Sequence, residues 1–248
     1  DGSERYVNGT FDWVYEEEIF STNSASWFSP DGKKLAFIQF DDSNVSTIAI
    51  PHYGLPGQFQ YPLMNEINYP KAGSVNPKVK FFYADFEGLT AENANQKLFN
   101  IAVPTEFTDL EHLITSVQWA NDNTLISAWM NRVQNKAIIN KCVISATASC
   151  SNALTLESTD GWVEFYAAPF FNKDGSEMIY VGSQDDYRQV KVLNLNTNAV
   201  TARTSGKFVV TELLKYNKDS DVIIYTANIP DDIKAQHVYA IKNQARAT

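Results

Sequence analysis

The chain has 248 residues, 44% hydrophobic and 13% aromatic, so it can bury a sizeable core and lacks the composition of a disordered polymer. Its formal net charge of −9, with a pI near 4.8, argues against nucleic acid and anionic membrane surfaces as partners, because both select basic patches. No stretch approaches the roughly 18 consecutive apolar residues needed to span a bilayer.

The first ten residues, DGSERYVNGT, contain neither the basic nor the apolar region of a secretion signal, which a processed chain would have lost. They do contain a glycosylation sequon at Asn8 (Asn-Gly-Thr), and a second follows at Asn44 (Asn-Val-Ser). Sequons arise by chance, but two of them fit a secreted chain. Next comes FDWVYEEEIF, residues 11–20. Asp12 can cap a helix, good helix formers follow it, and three consecutive acids make a poor strand. The segment predicts a short inserted helix near residues 12–20. Two readings of Glu16, Glu17 and Glu18 stand side by side. One is a solvated acidic face. The other is a pair of neighbouring carboxylates poised for a cation, since two carboxylates brought together are costly without one between them. A primary ammonium would satisfy such a pair with charge-assisted bonds.

From residue 27 a degenerate repeat begins. It reads WFSPDGKKLAFIQF at 27–40, QWANDNTLISAWMNR at 118–132, PFFNKDGSEMIYVGS at 169–183 and KYNKDSDVIIYTAN at 215–228. Each copy has an aromatic, a turn centred on Asp31, Asp122, Asp174 or Asp219, and then an alternating strand such as Leu35, Phe37 and Gln39 or Met178, Tyr180 and Gly182. The last three aspartates recur at intervals of roughly 50 residues, which suits one four-stranded blade of a β-propeller per repeat. The first interval is about twice as long: either two blades, or one blade with an insertion. Residues 50–77, rich in Pro, Gly and Tyr, read as such an insertion. The expected fold is all-β, a partial β-propeller of about four to five blades, with a β-sandwich as the alternative.

Cys142 and Cys150 admit two readings: a disulfide across a strand–turn–strand hairpin, with Cα atoms about 4.4–6.8 Å apart, or two unpaired buried thiols. Two thiols make half a zinc site, and His52, His112 and His237 are far apart in sequence, so neither a metal nor another cofactor is expected. No two of the eleven glycines are four positions apart, so the strict Gly-x-Ser-x-Gly nucleophile elbow is absent, and no catalytic residue is assigned. No phosphate-binding glycine loop occurs either.

The segment DWVYEEEIFSTNSASWFSPDGKKLAFIQFDDSNV closely resembles the propeller of the dipeptidyl peptidase IV family, and so does YPKAGSVNPKVKFF at 69–82. Weaker similarity continues through WMNRVQNKAII, the cysteine pair and GWVEFYAAPFF. The resemblance implies a partial β-propeller domain over residues 1–248, about half of an eight-bladed propeller that is joined in the family to an α/β-hydrolase domain. That catalytic domain, with its serine triad, has no counterpart here, so the chain alone is expected to be inactive. Carried over by position, the family's amine-binding pair falls on Glu17 and Glu18, with Ser21 lining the same subsite and Phe165 its aromatic wall, although GWVEFYAAP is shorter than the family pattern. Glu16 is then structural. Cys142 and Cys150 match a propeller disulfide, and residues 50–77 resemble an extended arm that forms homodimers.

The implied parent is an extracellular serine exopeptidase, secreted or a membrane-anchored ectodomain, that removes N-terminal dipeptides with proline or alanine second. A fixed anchor for the substrate's ammonium acts as a ruler, because two extended residues span about 7 Å. Two alternatives remain: a family member that has lost the serine and serves as a channel-associated subunit, and a stand-alone interaction propeller.

Overall fold

The computed structural model describes residues 2–3, 5–145, 147–165, 167–230 and 232–243. The chain is all-β and forms part of a β-propeller. Each of the four repeated turns joins two consecutive strands of one sheet. Two compact units are distinguished, residues 1–28 with 32–103 and residues 29–31 with 104–248.

The first unit contains β1 (Tyr6–Asn8), β2 (Ser26–Phe28), β3 (Lys34–Asp41), β4 (Thr47–His52), β5 (Leu63–Asn68), β6 (Lys78–Asp85) and β7 (Leu98–Ile101). Antiparallel pairing runs β2 to β3 to β6 to β7, which is one four-stranded blade. β1 and β2 pair with successive stretches of the same edge of β3, Tyr6 opposing Asp41 and Ser26 opposing Phe37. Ala36, Ile38 and Phe40 on β3 are fully buried, while Leu35, Phe37 and Gln39 on the opposite face are half-buried. The long first interval is therefore one blade with an insertion. β4 and β5 form a separate hairpin between β3 and β6, paired from Thr47↔Asn68 to His52↔Leu63. The hairpin starts three residues before the expected insertion and its pairing closes at Asn68, because alternation continues through Thr47–Ile50.

The second unit contains three sheets. The first joins β8 (His112–Asn121), β9 (Thr124–Asn131), β10 (Lys136–Ile144) and β11 (Ala148–Glu157). The next joins β12 (Phe170–Phe171), β13 (Glu177–Gln184), β14 (Tyr187–Asn194) and β15 (Val200–Ala202). The last joins β16 (Val210–Asn217), β17 (Val222–Ile229) and β18 (Asp232–Lys242), three strands among the described residues. The middle sheet is covered on both faces. Met178 and Tyr180 pack with Ile126, Ala128 and Ile139 of the preceding sheet, whereas Ile179 and Val190 pack with Val210 and Ile223 of the following one. Burying each such large apolar side chain contributes about 1.5–3 kcal/mol, and a blade obtains that only with neighbours on both faces.

Cys142 and Cys150 are bonded and directly opposed in the β10–β11 register. Their Cα atoms are 4.0 Å apart, closer than the expected range, the two residues being directly opposed on adjacent antiparallel strands.

Candidate functional site

Glu16, Glu17 and Glu18 sit on a short helical excursion whose two ends are tied together. Phe11 donates its backbone N–H to the Asn23 carbonyl (3.1 Å), and Thr10 and Ser24 form a β-bridge. Within that loop, Asp12 begins α1 (Trp13–Tyr15) from an extended conformation. Its carboxylate accepts from the N–H groups of Val14 (3.0 Å) and Tyr15 (3.2 Å), and its carbonyl accepts from Glu16 (3.0 Å). Capping of this kind satisfies donors that a helix start otherwise leaves orphaned.

The helix continues as a π-helical turn over Glu16–Phe20 and stops at Ser21, which adopts the left-handed conformation (φ 53°, ψ 36°). Single π-turns recur at functional sites, and a non-glycine residue at positive φ is a strained position. The aromatic side chains explain why the excursion holds its place. Tyr15 is fully buried, with its ring edge-on to Phe40 at 4.9 Å. Phe11 stacks on Phe20 at 4.3 Å and meets Phe40 at 5.7 Å, and Phe20 lies 5.8 Å from Trp27. Rings arranged this way add about 0.5–1.5 kcal/mol per pair beyond their area.

On this platform Glu16 is half-buried, while Glu17, Glu18 and Ser21 are exposed. The structure thus brings Glu17, Glu18 and Ser21 onto one turn. Ion pairs among the described residues involve other carboxylates, such as Glu87 with Lys33 and Glu111 with Arg132. The arrangement offers two adjacent, accessible carboxylates on a turn whose backbone is fixed from below, which suits a multivalent hydrogen-bond donor carrying positive charge.

Phe165 belongs to the second unit. It is buried, its ring lies 5.7 Å from Tyr180, and its carbonyl accepts from the Thr115 hydroxyl at 3.1 Å. One side of it lines a cavity of about 320 Å³ together with Glu164, Tyr180 and Arg188, and Arg188 pairs with Glu164 at 3.3 Å. The two sequon asparagines are both exposed. Asn8 accepts a bond from Gln39 through Oδ1 (2.8 Å), and Asn44 lies on the turn after β3. Among the described residues no group of three or more His, Cys, Asp or Glu side chains is arranged to hold a metal, and no helix is long and apolar enough to cross a membrane.

Asp12 is legible in the sequence as a cap, whereas a second buried acid whose charge reaches it is not. Asp42, just after β3, is also buried. Burial, with the nearby Asp42 charge adding to it, pushes Asp12 up to about 7. Burial likewise pushes Asp42 up to about 6, with Asp41 adding and Asn68 and Arg5 opposing. Thirty residues separate the two acids in sequence, so no local pattern could have joined them.

Residues 1–248 match the family model described as the dipeptidyl peptidase IV N-terminal region. The venom dipeptidyl peptidase 4 of Vespa velutina is 41% identical over 169 residues, covering 67% of this chain and 21% of that protein. The inactive dipeptidyl peptidase 10 of Rattus norvegicus is 32% identical over 228 residues, covering 88% of this chain and 27% of that protein. Among solved structures, the dipeptidyl peptidase 4 of Porphyromonas gingivalis superposes with a TM-score of 0.80 at 25% identity, covering 97% of this chain and 32% of that one. The chain thus spans between about a fifth and a third of the length of these relatives.

Proposed function

Because this chain belongs to the dipeptidyl peptidase IV family, as the N-terminal region of such a protein, we propose that it is the part that captures the free amino terminus of a peptide substrate. Glu17 and Glu18 hold the ammonium, and Ser21 lines the same subsite. Cleavage itself is assigned to a serine hydrolase domain of the same protein, which removes X-Pro or X-Ala dipeptides.

The observation that carries this reading is the exposure of Glu17 and Glu18 together on a turn fixed by Asp12 and the Phe11–Tyr15–Phe40 platform. Binding energy spent at the amine, remote from the scissile bond, would position the carbonyl two residues along. The disulfide and the two exposed sequons support an extracellular protein. The β4–β5 hairpin, with its exposed apolar residues, is proposed to bury them against a second subunit.

A second reading is an inactive, protein-binding family member, favoured by the similarity to the inactive rat relative over 88% of the chain. The test uses the full-length protein and a pair of dipeptidyl substrates, one with a free amine and one N-acetylated. Cleavage of the free form alone supports the amine anchor. Equal cleavage of both forms removes it, and cleavage of neither favours the inactive reading.

A further inference from the structure

The helix that leads into the Glu17–Glu18 turn is too short to hold itself. α1 comprises only Trp13–Tyr15, and a single turn gains too few hydrogen bonds to offset the freedom it loses. Side-chain contacts must therefore fix it. Successive helical residues point about 100° apart, so Trp13 and Tyr15 project from opposite faces. Tyr15 faces the blade and meets Phe40. Trp13 faces the other way, 45% exposed, and its ring stands edge-on to that of Tyr69, with centroids 6.2 Å apart and planes at 73°. The amine-binding reading uses neither Trp13 nor Tyr69.

Tyr69 is a firm abutment. It directly follows β5, at the root of the β4–β5 hairpin, and opens the segment YPKAG. Its N–H donates to the Ser46 carbonyl (2.8 Å), next to the Thr47↔Asn68 pair that closes the hairpin. Pro70 follows it and is buried, and a following proline favours extended backbone at Tyr69. The Ser46 side of the root is tied to the blade in turn. Val45 is buried and donates its N–H to the Asp42 carbonyl (2.9 Å), and Asp42 donates its own to the Arg5 carbonyl (2.8 Å). Tyr69 therefore stands on a root anchored to the end of β3, at the opposite end of the hairpin from the exposed Leu55 and Tyr61.

We propose that Tyr69, acting through Trp13, is a positioning residue for the Glu17–Glu18 amine anchor, so that the root of the hairpin serves substrate capture within its own chain. This inference rests on the amine-binding reading of Glu17 and Glu18. Two rings, Phe40 and Tyr69, grip one short helix from opposite faces. Phe40 alone would leave the helix free to pivot about Tyr15. Trp13 lies four residues, about one helical turn, before Glu17, so a pivot there changes where the two carboxylates stand. An anchor displaced by even about 1 Å loses much of its power to orient a bound group. Tyr69 is assigned no contact with substrate. It limits the positions that the two carboxylates sample.

The experiment uses the full-length protein, unsubstituted and with Tyr69→Ala, Tyr69→Phe or Trp13→Leu, each also combined with Glu17→Gln and Glu18→Gln together. KM and kcat are measured for a free-amine dipeptidyl substrate, alongside sedimentation velocity and amide hydrogen exchange of peptides covering residues 13–21. Loss of one aromatic contact corresponds to a factor of roughly two to ten, so Tyr69→Ala and Trp13→Leu should each raise KM by about that factor, with kcat following less. Tyr69→Phe keeps the ring and should rescue KM. In the background lacking both glutamate charges Tyr69→Ala should add little, because it acts through the same carboxylates. Exchange over residues 13–21 should quicken in Tyr69→Ala and Trp13→Leu but not in Tyr69→Phe, with sedimentation unchanged.

A full further rise in KM from Tyr69→Ala in the background lacking both charges would overturn the positioning role, as would a rise that appears only where subunits dissociate. Unchanged exchange over residues 13–21 would overturn the grip itself. If Tyr69→Ala fails to fold, Trp13→Leu breaks the same contact from its exposed side, and an unaltered KM there overturns the proposal. If no peptide is cleaved, or if removing both glutamate charges leaves KM unchanged, the amine reading fails and the positioning role with it. Exchange then still decides whether Tyr69 holds the turn.

Discussion

Cys142 and Cys150 face each other across neighbouring strands of one sheet, their sulfurs bonded and their Cα atoms 4.0 Å apart. The bond closes a short loop around the β10–β11 turn, and Cys142 itself is fully buried. A short closed loop removes only modest freedom from the unfolded chain, so replacing both cysteines by serine should cost about 2–3 kcal/mol. Urea unfolding of the double variant, compared with unfolding of the parent under non-reducing conditions, measures this. An unchanged midpoint would mean that the bridge contributes nothing to the sheet.

Gly175 and Gly32 both occupy the left-handed region in equivalent repeat turns, with φ of 74° and 71°. Their surroundings differ. A Cβ on Gly175 would lie 2.6 Å from the Ala120 carbonyl oxygen, which is backbone, whereas nothing lies within 4 Å of a Cβ on Gly32. Gly32→Ala should therefore cost only the conformational strain, about 1–2 kcal/mol. Gly175→Ala should cost about 2–4 kcal/mol, because the turn must also move away from the preceding sheet. Equal losses in melting temperature would show that the close approach is not maintained in solution.

The purified 248-residue chain should not cleave a glycyl-prolyl chromogenic substrate. It contains no Gly-x-Ser-x-Gly segment, and the reading gives it capture of the substrate rather than chemistry. Turnover that persists through a second purification step would require a nucleophile within these residues.

Tyr53, Leu55 and Tyr61 on the β4–β5 hairpin are 70, 75 and 78% exposed. So many large apolar groups on one hairpin exceed what an isolated surface loop normally presents. In the full-length protein, Leu55→Asp together with Tyr61→Asp should shift a dimer toward monomer in sedimentation velocity without lowering the melting temperature of the monomer. A dimer that persists at low micromolar concentration would assign the hairpin another role.

The parts of the fold that follow local rules were legible in the sequence. Asp31, Asp122, Asp174 and Asp219 mark the β2–β3, β8–β9, β12–β13 and β16–β17 turns, because Asp-Gly and similar pairs supply the tight reversal wherever they fall. Asp12 caps a helix for equally local reasons. The length of the first interval was ambiguous, since β4 and β5 have strand alternation of their own and only their mutual pairing shows that they form no further blade. The helical character of residues 12–20 is legible in the sequence, but the π winding over Glu16–Phe20, with Phe20 stacked on Phe11 and the stop at Ser21, is visible only in the folded chain. That the Asp42 charge acts on Asp12 depends wholly on tertiary structure. At the candidate site, Glu17 and Glu18 were distinguished from Glu16 by resemblance, and the turn that exposes them while half-burying Glu16 is visible only in the folded chain.

Substitution of these glutamates tests the function directly. In the full-length protein, Glu17→Gln or Glu18→Gln keeps the shape and one acceptor oxygen but removes the charge that attracts the ammonium. Loss of one charge-assisted bond costs about 1.5–3 kcal/mol, so kcat/KM should fall roughly ten- to hundred-fold. Glu16→Gln should have a much smaller effect, because Glu16 is half-buried at the start of the π-turn rather than presented with its two neighbours. Acetylating the substrate's amine should reduce cleavage by the unsubstituted protein at least as much as either substitution. It should add little in the Glu17→Gln, Glu18→Gln double variant, since the two changes remove the same interaction from opposite sides. Additive losses would show that the glutamates and the amine act independently. A larger loss for Glu16→Gln than for Glu17→Gln would move the anchor one residue along the turn.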